Sequence, residues 1–295
     1  MGGDVGLAQA SLIGCTIADR YLIEHEIGSG ALGKVYRARH KVLDRPVAVK
    51  VLFEDLKGNE NSFLRFQREA QAASSLNHPN IVTVFDFGLQ DNSYPFLVMD
   101  YLEGDNLKDV IQKCGRLPLP RAFPILIQIA EALAHAHSRG ILHRDIKPDN
   151  IILLQTNVCK DLVKIVDFGI AKKINERKSE KLTMDGQVVG TPAFMSPEQI
   201  LNAHLDARSD IYSFGILAFN LVTGVLPIIG KTPVETMSGH VSNEPLSLVA
   251  ACPGVSFPQS LQEILKKMLK KYPEDRHKSM DDVKLELEWL YKPYK

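Results

Sequence analysis

The run His143-Arg144-Asp145-Ile146-Lys147-Pro148-Asp149-Asn150, followed by Asp167-Phe168-Gly169, gathers a carboxylate able to act as a base, a lysine cation and two hard oxygen donors. These residue types suit phosphoryl transfer. The group in flight passes through a loose, highly charged transition state, so a catalyst must mainly position the reactants and neutralise oxygen charge. Asp145 can accept a hydrogen bond from an attacking hydroxyl and take its proton. Asn150 and Asp167 offer oxygen ligands that match magnesium, and Lys147 can reach phosphoryl oxygens as a point charge. A lone Asp before a turn is ordinarily a loop cap or a surface ion pair; the octet taken whole is what points to chemistry.

Phosphates need a cradle, and the chain offers one upstream. Gly28-Ser29-Gly30-Ala31-Leu32-Gly33 has the G-x-G-x-x-G spacing, which by itself is shared with dinucleotide-binding proteins. There the glycines open a helix, whereas Val35-Tyr36-Arg37-Ala38 continues here as a strand. That context favours a hairpin lid whose missing side chains let backbone approach phosphate. Lys50 ends Val-Ala-Val-Lys and alternates to the same sheet face as Ala48, the face expected to roof a nucleotide. Glu69, in a helical run, is a carboxylate that can hold the Lys50 ammonium against phosphates.

The elements that must position these groups are legible from periodicity. Strands are expected at Tyr21–Ile27, Lys34–Arg39, Val47–Leu52, Ile81–Phe87 and Phe96–Met99, with one helix from Glu60 to Leu76, and a hairpin between the octet and Asp167. Beyond Asp100 helices dominate, at Leu107–Lys113, Pro120–Ser138, Ala207–Thr223, Pro258–Lys270 and Met280–Leu290. The fold class expected is therefore α+β: an antiparallel sheet with one major helix over residues 21–103, then a mainly helical part over 104–295. Residues 1–20 read as a small-residue lead-in.

In their order, the Gly-rich loop, Val-Ala-Val-Lys, His-Arg-Asp, Asp-Phe-Gly and Ser196-Pro197-Glu198 resemble the eukaryotic-like protein kinases, over about residues 21–290. Gly190–Gln199 and Asp206–Ser213 look especially like the bacterial Ser/Thr group. The resemblance implies a bilobal fold that takes ATP and magnesium, with manganese as an alternative metal, and a protein Ser or Thr hydroxyl as acceptor. It implies catalytic roles for Asp145, Lys147, Lys50 and Glu69, and metal ligation by Asn150 and Asp167. It implies nucleotide contacts from Gly28, Ser29, Gly30, Gly33, Val35, Ala48 and Lys50, from Met99 as gatekeeper with Asp100 and Leu102 at the hinge, and from Asn106 and Ile152. Glu198 would pair with Arg276, and Asp210 would brace the His143-Arg144 backbone. Lys147 two residues after Asp145, with Thr191 in Gly-Thr-Pro, is the Ser/Thr pattern. Thr183, and second to it Ser179, is the expected autophosphorylation site, with Arg144 as the phosphate's partner. Leu32 at the glycine-loop tip departs from the aromatic found in many relatives. A pseudokinase, or nucleotide-binding scaffold, is the alternative, though Lys50, Glu69, Asp145, Asn150 and Asp167 are all retained.

Composition sets the outer limits. A chain of 295 residues, 45% hydrophobic, can bury a full core. Lys+Arg and Asp+Glu are both 35, so no global field draws the chain to nucleic acid or an anionic membrane, and neither partner is expected; protein substrates, and a second copy for autophosphorylation, are. Cys15, Cys114, Cys159 and Cys252 are far apart and form no Cys-x-x-Cys pair, which fits reduced thiols in a cytoplasmic setting. The start of the chain shows neither an export nor a lipidation signal. The apolar stretch Phe214–Ile229 is interrupted by Asn220, Thr223, Gly224 and Pro227, and is expected to be a buried helix ending at Gly224 rather than a membrane span.

Overall fold

The computed structural model describes residues 12–30, 33–53, 60–90, 94–168 and 192–294. By their internal packing the described residues divide into two units: those within 12–77 and 82–103 in one, and those within 78–81, 104–168 and 192–294 in the other.

Alternating burial along the first strands builds the sheet of the first unit. Its strands are β1 (Thr16–Ile17), β2 (Tyr21–Gly30), β3 (Gly33–His40), β4 (Arg45–Leu52), β5 (Val84–Gln90) and β6 (Tyr94–Asp100), all paired antiparallel in the order β1-β2-β3-β4-β6-β5. Ile17, Ile23, Tyr36, Ala38, Val47, Val49, Phe96 and Val98 turn to one core, which Leu12 also enters. Helix α1 (Glu60–Ser74) packs on this unit through Phe66, whose ring meets Phe87 edge-on at 6.1 Å. Two expectations shift. Part of the stretch read as a lead-in is ordered: Thr16 and Ile17 pair with Leu22 and Tyr21, and the strand is too short to show a period in the sequence. The strand expected from Ile81 begins at Val84, because Ile81 makes an isolated parallel bridge to Ile165 in the second unit.

The second unit opens with β7 (Gly104–Asn106), α2 (Leu107–Cys114) and α3 (Leu119–His137). The hairpin β8 (Ile151–Leu154) and β9 (Leu162–Ile165) follows, and β7 pairs with β8 to complete a three-stranded sheet. Then come α4 (Pro197–Ile200), α5 (Ala207–Thr223), α6 (Pro233–Ser242), α7 (Leu248–Ala251), α8 (Gln259–Met268) and α9 (Met280–Tyr291). Helix α5 is mostly apolar and buried along nearly its whole length, Asp210 included, as a central core helix must be. It starts at the Asp206 cap and stops at Gly224, whose φ of 81° is left-handed; a Cβ there would collide with the Gly115 carbonyl. The sequence reading passed over α6 and α7, although Thr232 and Ser247 cap them by accepting from Glu235 N at 3.1 Å and Ala250 N at 3.2 Å. Among the described residues no helix is long and apolar enough to cross a membrane.

Candidate active site

Strand register brings one group of the expected nucleotide-binding residues together within the first unit. Val35 lies opposite both Gly28 and Lys50, and Ala48 lies opposite Met99. Since Ala48 and Lys50 are two apart on β4, these five positions share a sheet face, with Ser29 paired to Lys34 and Gly30 to Gly33 at the hairpin end. The three glycines are not equivalent. A Cβ on Gly28 or Gly30 would meet nothing closer than 4.0 Å, so bareness there leaves space rather than relieving a clash. Gly33 is required by the sheet itself, since a Cβ would run into the Val51 carbonyl oxygen of β4. Asp100 ends β6 with its N–H donated to Thr83 O at 3.1 Å, and Leu102 follows half-buried. Lys50 and Glu69 are both half-buried in this unit, on β4 and α1.

The octet lies in the second unit between α3 and β8. Its first half is held from helix α5. Asp210, 1% exposed, accepts from His143 N through Oδ2 and from Arg144 N through Oδ1, each at 2.8 Å, while His137 Nε2 approaches Oδ2 at 2.8 Å. Burial alone would raise the Asp210 pKa, but His137 and these N–H donors hold it below the ordinary carboxylate value. His143 is fully buried, which pushes its pKa down and favours the neutral ring; its Nε2 meets Val166 O at 3.1 Å and its ring lies 4.6 Å from that of Phe168. Arg144 and Asp167 have φ of 63° and 62°, the left-handed region that is costly for side-chain-bearing residues and that clusters at functional sites.

The second half of the octet carries the reactive groups. Lys147 Nζ lies 2.9 Å from Asp145 Oδ2. Asn150 Nδ2 donates to Asp145 O at 2.8 Å and to Oδ2 at 3.1 Å, so the oxygen of its amide is the end whose chemistry suits a cation. Val166 N donates to Asn150 O at 3.0 Å, which ties the residue before Asp167 to the octet. With an amide oxygen and a carboxylate as donors, Asn150 and Asp167 fit a hard divalent ion such as magnesium. Asn106 caps α2 by accepting from Lys108 N at 2.9 Å and donates to Asp149 O at 2.7 Å, so both ends of its amide serve this part of the fold. Ile152 pairs with Asn106 across β7 and β8.

Several positioning residues escaped the sequence reading. Gln199 closes a capping box with Ser196 at the start of α4 and donates Nε2 to Arg144 O at 2.8 Å; the Ser-x-x-Gln spacing was the available signal. Asn80 donates to Gln128 Oε1 and Val163 O, both at 2.9 Å, and accepts from Ile165 N at 2.8 Å, fixing β9; nothing local announced it. The expected pair of Glu198 with Arg276 is present and bidentate, at 2.7 and 2.9 Å, and Arg276 donates further to the carbonyls of Arg208, Lys270 and Lys271. Burial would raise the Glu198 pKa, but Arg276 brings it below the usual value. Gly169, Ser179, Thr183, Thr191 and Leu32 lie outside the described residues.

Comparison with known proteins gives one consistent result. The model of the protein kinase domain family matches residues 21–287. The chain is 39% identical over 277 residues to the serine/threonine-protein kinase pkn3 of Myxococcus xanthus, covering 94% of this chain and 51% of that protein. It is 39% identical over 274 residues to the serine/threonine-protein kinase PknB of Mycobacterium leprae, covering 92% of this chain and 43% of that one. The chain thus spans about half the length of these curated relatives. Among solved structures, the PknI kinase domain of Mycobacterium tuberculosis superposes with a TM-score of 0.74 at 28% identity, covering 95% of this chain and 98% of that domain.

Proposed function

Because this chain belongs to the protein kinase domain family, we propose that it transfers the γ-phosphoryl group of ATP to Ser or Thr hydroxyls of proteins, itself among them. The observation that carries this reading is the geometry around Asp145: a partly exposed carboxylate with Lys147 at 2.9 Å and Asn150 at 3.1 Å, on a loop whose preceding backbone is pinned by a buried Asp. Asp145 orients the acceptor hydroxyl and takes its proton as the oxygen attacks. Lys147 keeps that carboxylate in place and offers positive charge where phosphoryl oxygens gather. Asn150 and Asp167 hold magnesium, which when bound neutralises charge on the phosphate oxygens. In the first unit, Val35, Ala48 and Met99 provide an apolar surface for adenine, Asp100 and Leu102 provide backbone partners, Ser29 with the bare Gly28 and Gly30 admits phosphate, and Lys50 steadied by Glu69 neutralises it. In the second unit, Ile152 adds apolar contact, and Asn106 takes part through the loop it braces.

Retention of Lys50, Glu69, Asp145, Asn150 and Asp167 favours an enzyme over a scaffold. Four unpaired cysteines and a dependence on ATP support a cytoplasmic setting for this domain. Thr183, or second to it Ser179, remains our candidate for autophosphorylation.

The test is magnesium-dependent transfer of labelled γ-phosphate from ATP to the chain and to a generic basic protein, followed by phosphoamino acid analysis. Phosphoserine and phosphothreonine that vanish in Asp145→Asn support the proposal. A folded, nucleotide-binding chain that labels nothing points to the scaffold reading, and mainly phosphotyrosine refutes the Ser/Thr assignment.

A further inference from the structure

A groove of about 520 Å³ opens between α8 and α9 in the second unit, a size that admits a ligand or a partner's side chains. Its apolar lining comes from Ile264 of α8, which is nearly buried, and from Leu285 and Trp289, one turn apart on α9. Both helices turn another face to the core, through Leu265 and Met268 on α8 and Leu287 and Leu290 on α9. Leu285 and Trp289 stay 59% and 63% exposed, and Trp289 is the one tryptophan of the chain. An indole left so open forgoes most of the burial that its area could give.

Among the described residues, the charged groups lining the groove are Glu263 and Lys267 of α8 and Glu286 of α9, two carboxylates against one ammonium. Glu286 is three residues before Trp289 and shares its face of the helix. It is also held in place: its Oε2 accepts from His277 Nε2 at 3.0 Å, and the His277 side chain is fully buried. Burial lowers the His277 pKa and Glu286 only partly opposes this, while Lys267 adds to the shift, so the ring is neutral at neutral pH with its proton on Nε2. His277 therefore fixes the direction of the Glu286 carboxylate without cancelling its charge. The groove is left with one negative charge beyond what its own lysine balances.

We propose that this groove docks an arginine of a partner protein, flanked by apolar residues, with the guanidinium against Glu286 and the Trp289 ring and the flanking residues covering Leu285 and Ile264. Arginine is the side chain whose planar cation stacks on an indole while its N–H groups fork to a carboxylate. An acidic partner would meet the excess negative charge, and a purely apolar one would strip water from Glu263 and Glu286 and return nothing. The proposal does not depend on phosphoryl transfer, and its test needs no turnover.

As the sole indole, Trp289 reports occupancy of the groove directly. The probe is a short peptide, Leu-Arg-Leu between glycines, titrated into the intact chain while Trp289 emission is followed, beside versions with citrulline or Glu in place of Arg. The Arg peptide should saturate with a blue shift. Citrulline, alike in shape but neutral, should bind about 3-fold more weakly or worse, the size of an exposed cation–π contact, and Glu more weakly still. Glu263→Gln and Glu286→Gln should each narrow the gap between Arg and citrulline, and Lys267→Gln should widen it. Circular dichroism checks that the variants fold, and Glu263→Gln, which leaves the His277 bond to Glu286 intact, carries the test if Glu286→Gln does not. Arg and citrulline peptides that bind alike, no saturation at millimolar peptide, or a gap that neither Gln variant moves overturns the proposal. Trp289 emission that shifts with protein concentration alone, with a dimer seen in sedimentation, assigns the groove to a second copy of the chain and overturns it too.

Discussion

Two carboxylates bonded to one loop show opposite solutions to the same problem. Asp210 is buried and saturated, with both oxygens committed to the backbone of His143 and Arg144 and to His137. Asp145, in the next position of the loop, keeps about a fifth of its side chain exposed and is met by the side chains of Lys147 and Asn150. A buried charge can be kept only if every lone pair is answered, and such a group is rigid and chemically silent. A base needs access to a proton and partners that can adjust. The anchored half of the loop carries stability so that the reactive half can carry chemistry, and separate substitutions should therefore separate the two.

The largest effect expected is on rate. Asp145→Asn keeps the shape and removes the base, and should lower phosphoryl transfer by about 10²- to 10⁴-fold while the urea midpoint barely moves. A large loss of stability in that variant would break the comparison. Next comes Arg276→Ala, which strands Glu198 in the core; a loss of about 3 to 5 kcal/mol, seen as little soluble protein, is expected. Arg276→Lys should rescue it poorly, because one ammonium cannot reproduce the bidentate fork together with three carbonyl bonds. Asp210→Asn should cost on the order of 2 to 3 kcal/mol in urea unfolding, as charge-assisted bonds to two N–H groups and His137 weaken. If it lost activity with no change in midpoint, Asp210 would belong to the reactive half.

The smallest effect sharpens the comparison through pH. His240, with burial as the main cause, has its pKa lowered to about 4, and His143 is shifted down for the same reason. Below the ordinary histidine value of about 6.5 the unfolded chain binds protons that the folded chain refuses, so stability falls as pH drops from there toward about 4. The lowered pKa values of Glu198 and Asp210 act in the next window: their contribution is present above the ordinary carboxylate range and is lost as pH falls through their folded values. Urea midpoints measured from pH 7 to 4 should decline by an amount worth on the order of 1 to 3 kcal/mol. His240→Gln, which cannot titrate, should flatten part of that slope, and an unchanged slope would remove His240 from the account.

Legibility in the sequence followed the range of the interactions. The bounds of α5 at Ala207 and Thr223 could be read because a cap at Asp206 and a glycine at 224 are local signals. The Glu198 and Arg276 pair, 78 residues apart, came from resemblance, because nothing near either residue names its partner. Helices α6 and α7 were missed although their caps were in view, since Thr232 lies between Gly230-Lys231 and Pro233, and Ser247 follows Asn243-Glu244-Pro245, runs that read equally well as loop. Ile81 looked like the start of a strand because its apolar run continues into Val84, yet its backbone pairs with Ile165 far along the chain. The octet announced the chemistry, but not that Gln199 would hold Arg144 O or that Lys108 would cover Asp149.

By itself the sequence determined which chemical groups are present, their order, and the periods that make a sheet followed by helices, because side-chain type and spacing act over a few residues. Only the tertiary structure decided which of those groups are spent on one another. Asp210 is committed to a backbone more than sixty residues earlier, Asn80 to β9, and Asp149 to a lysine from α2. The two buried pairings, of Asp210 and Asn80, exist only once packing has excluded water, when each polar group left inside must find whatever partner the fold has brought beside it; the exposed Lys108 and Asp149 meet because the fold sets α2 beside the octet.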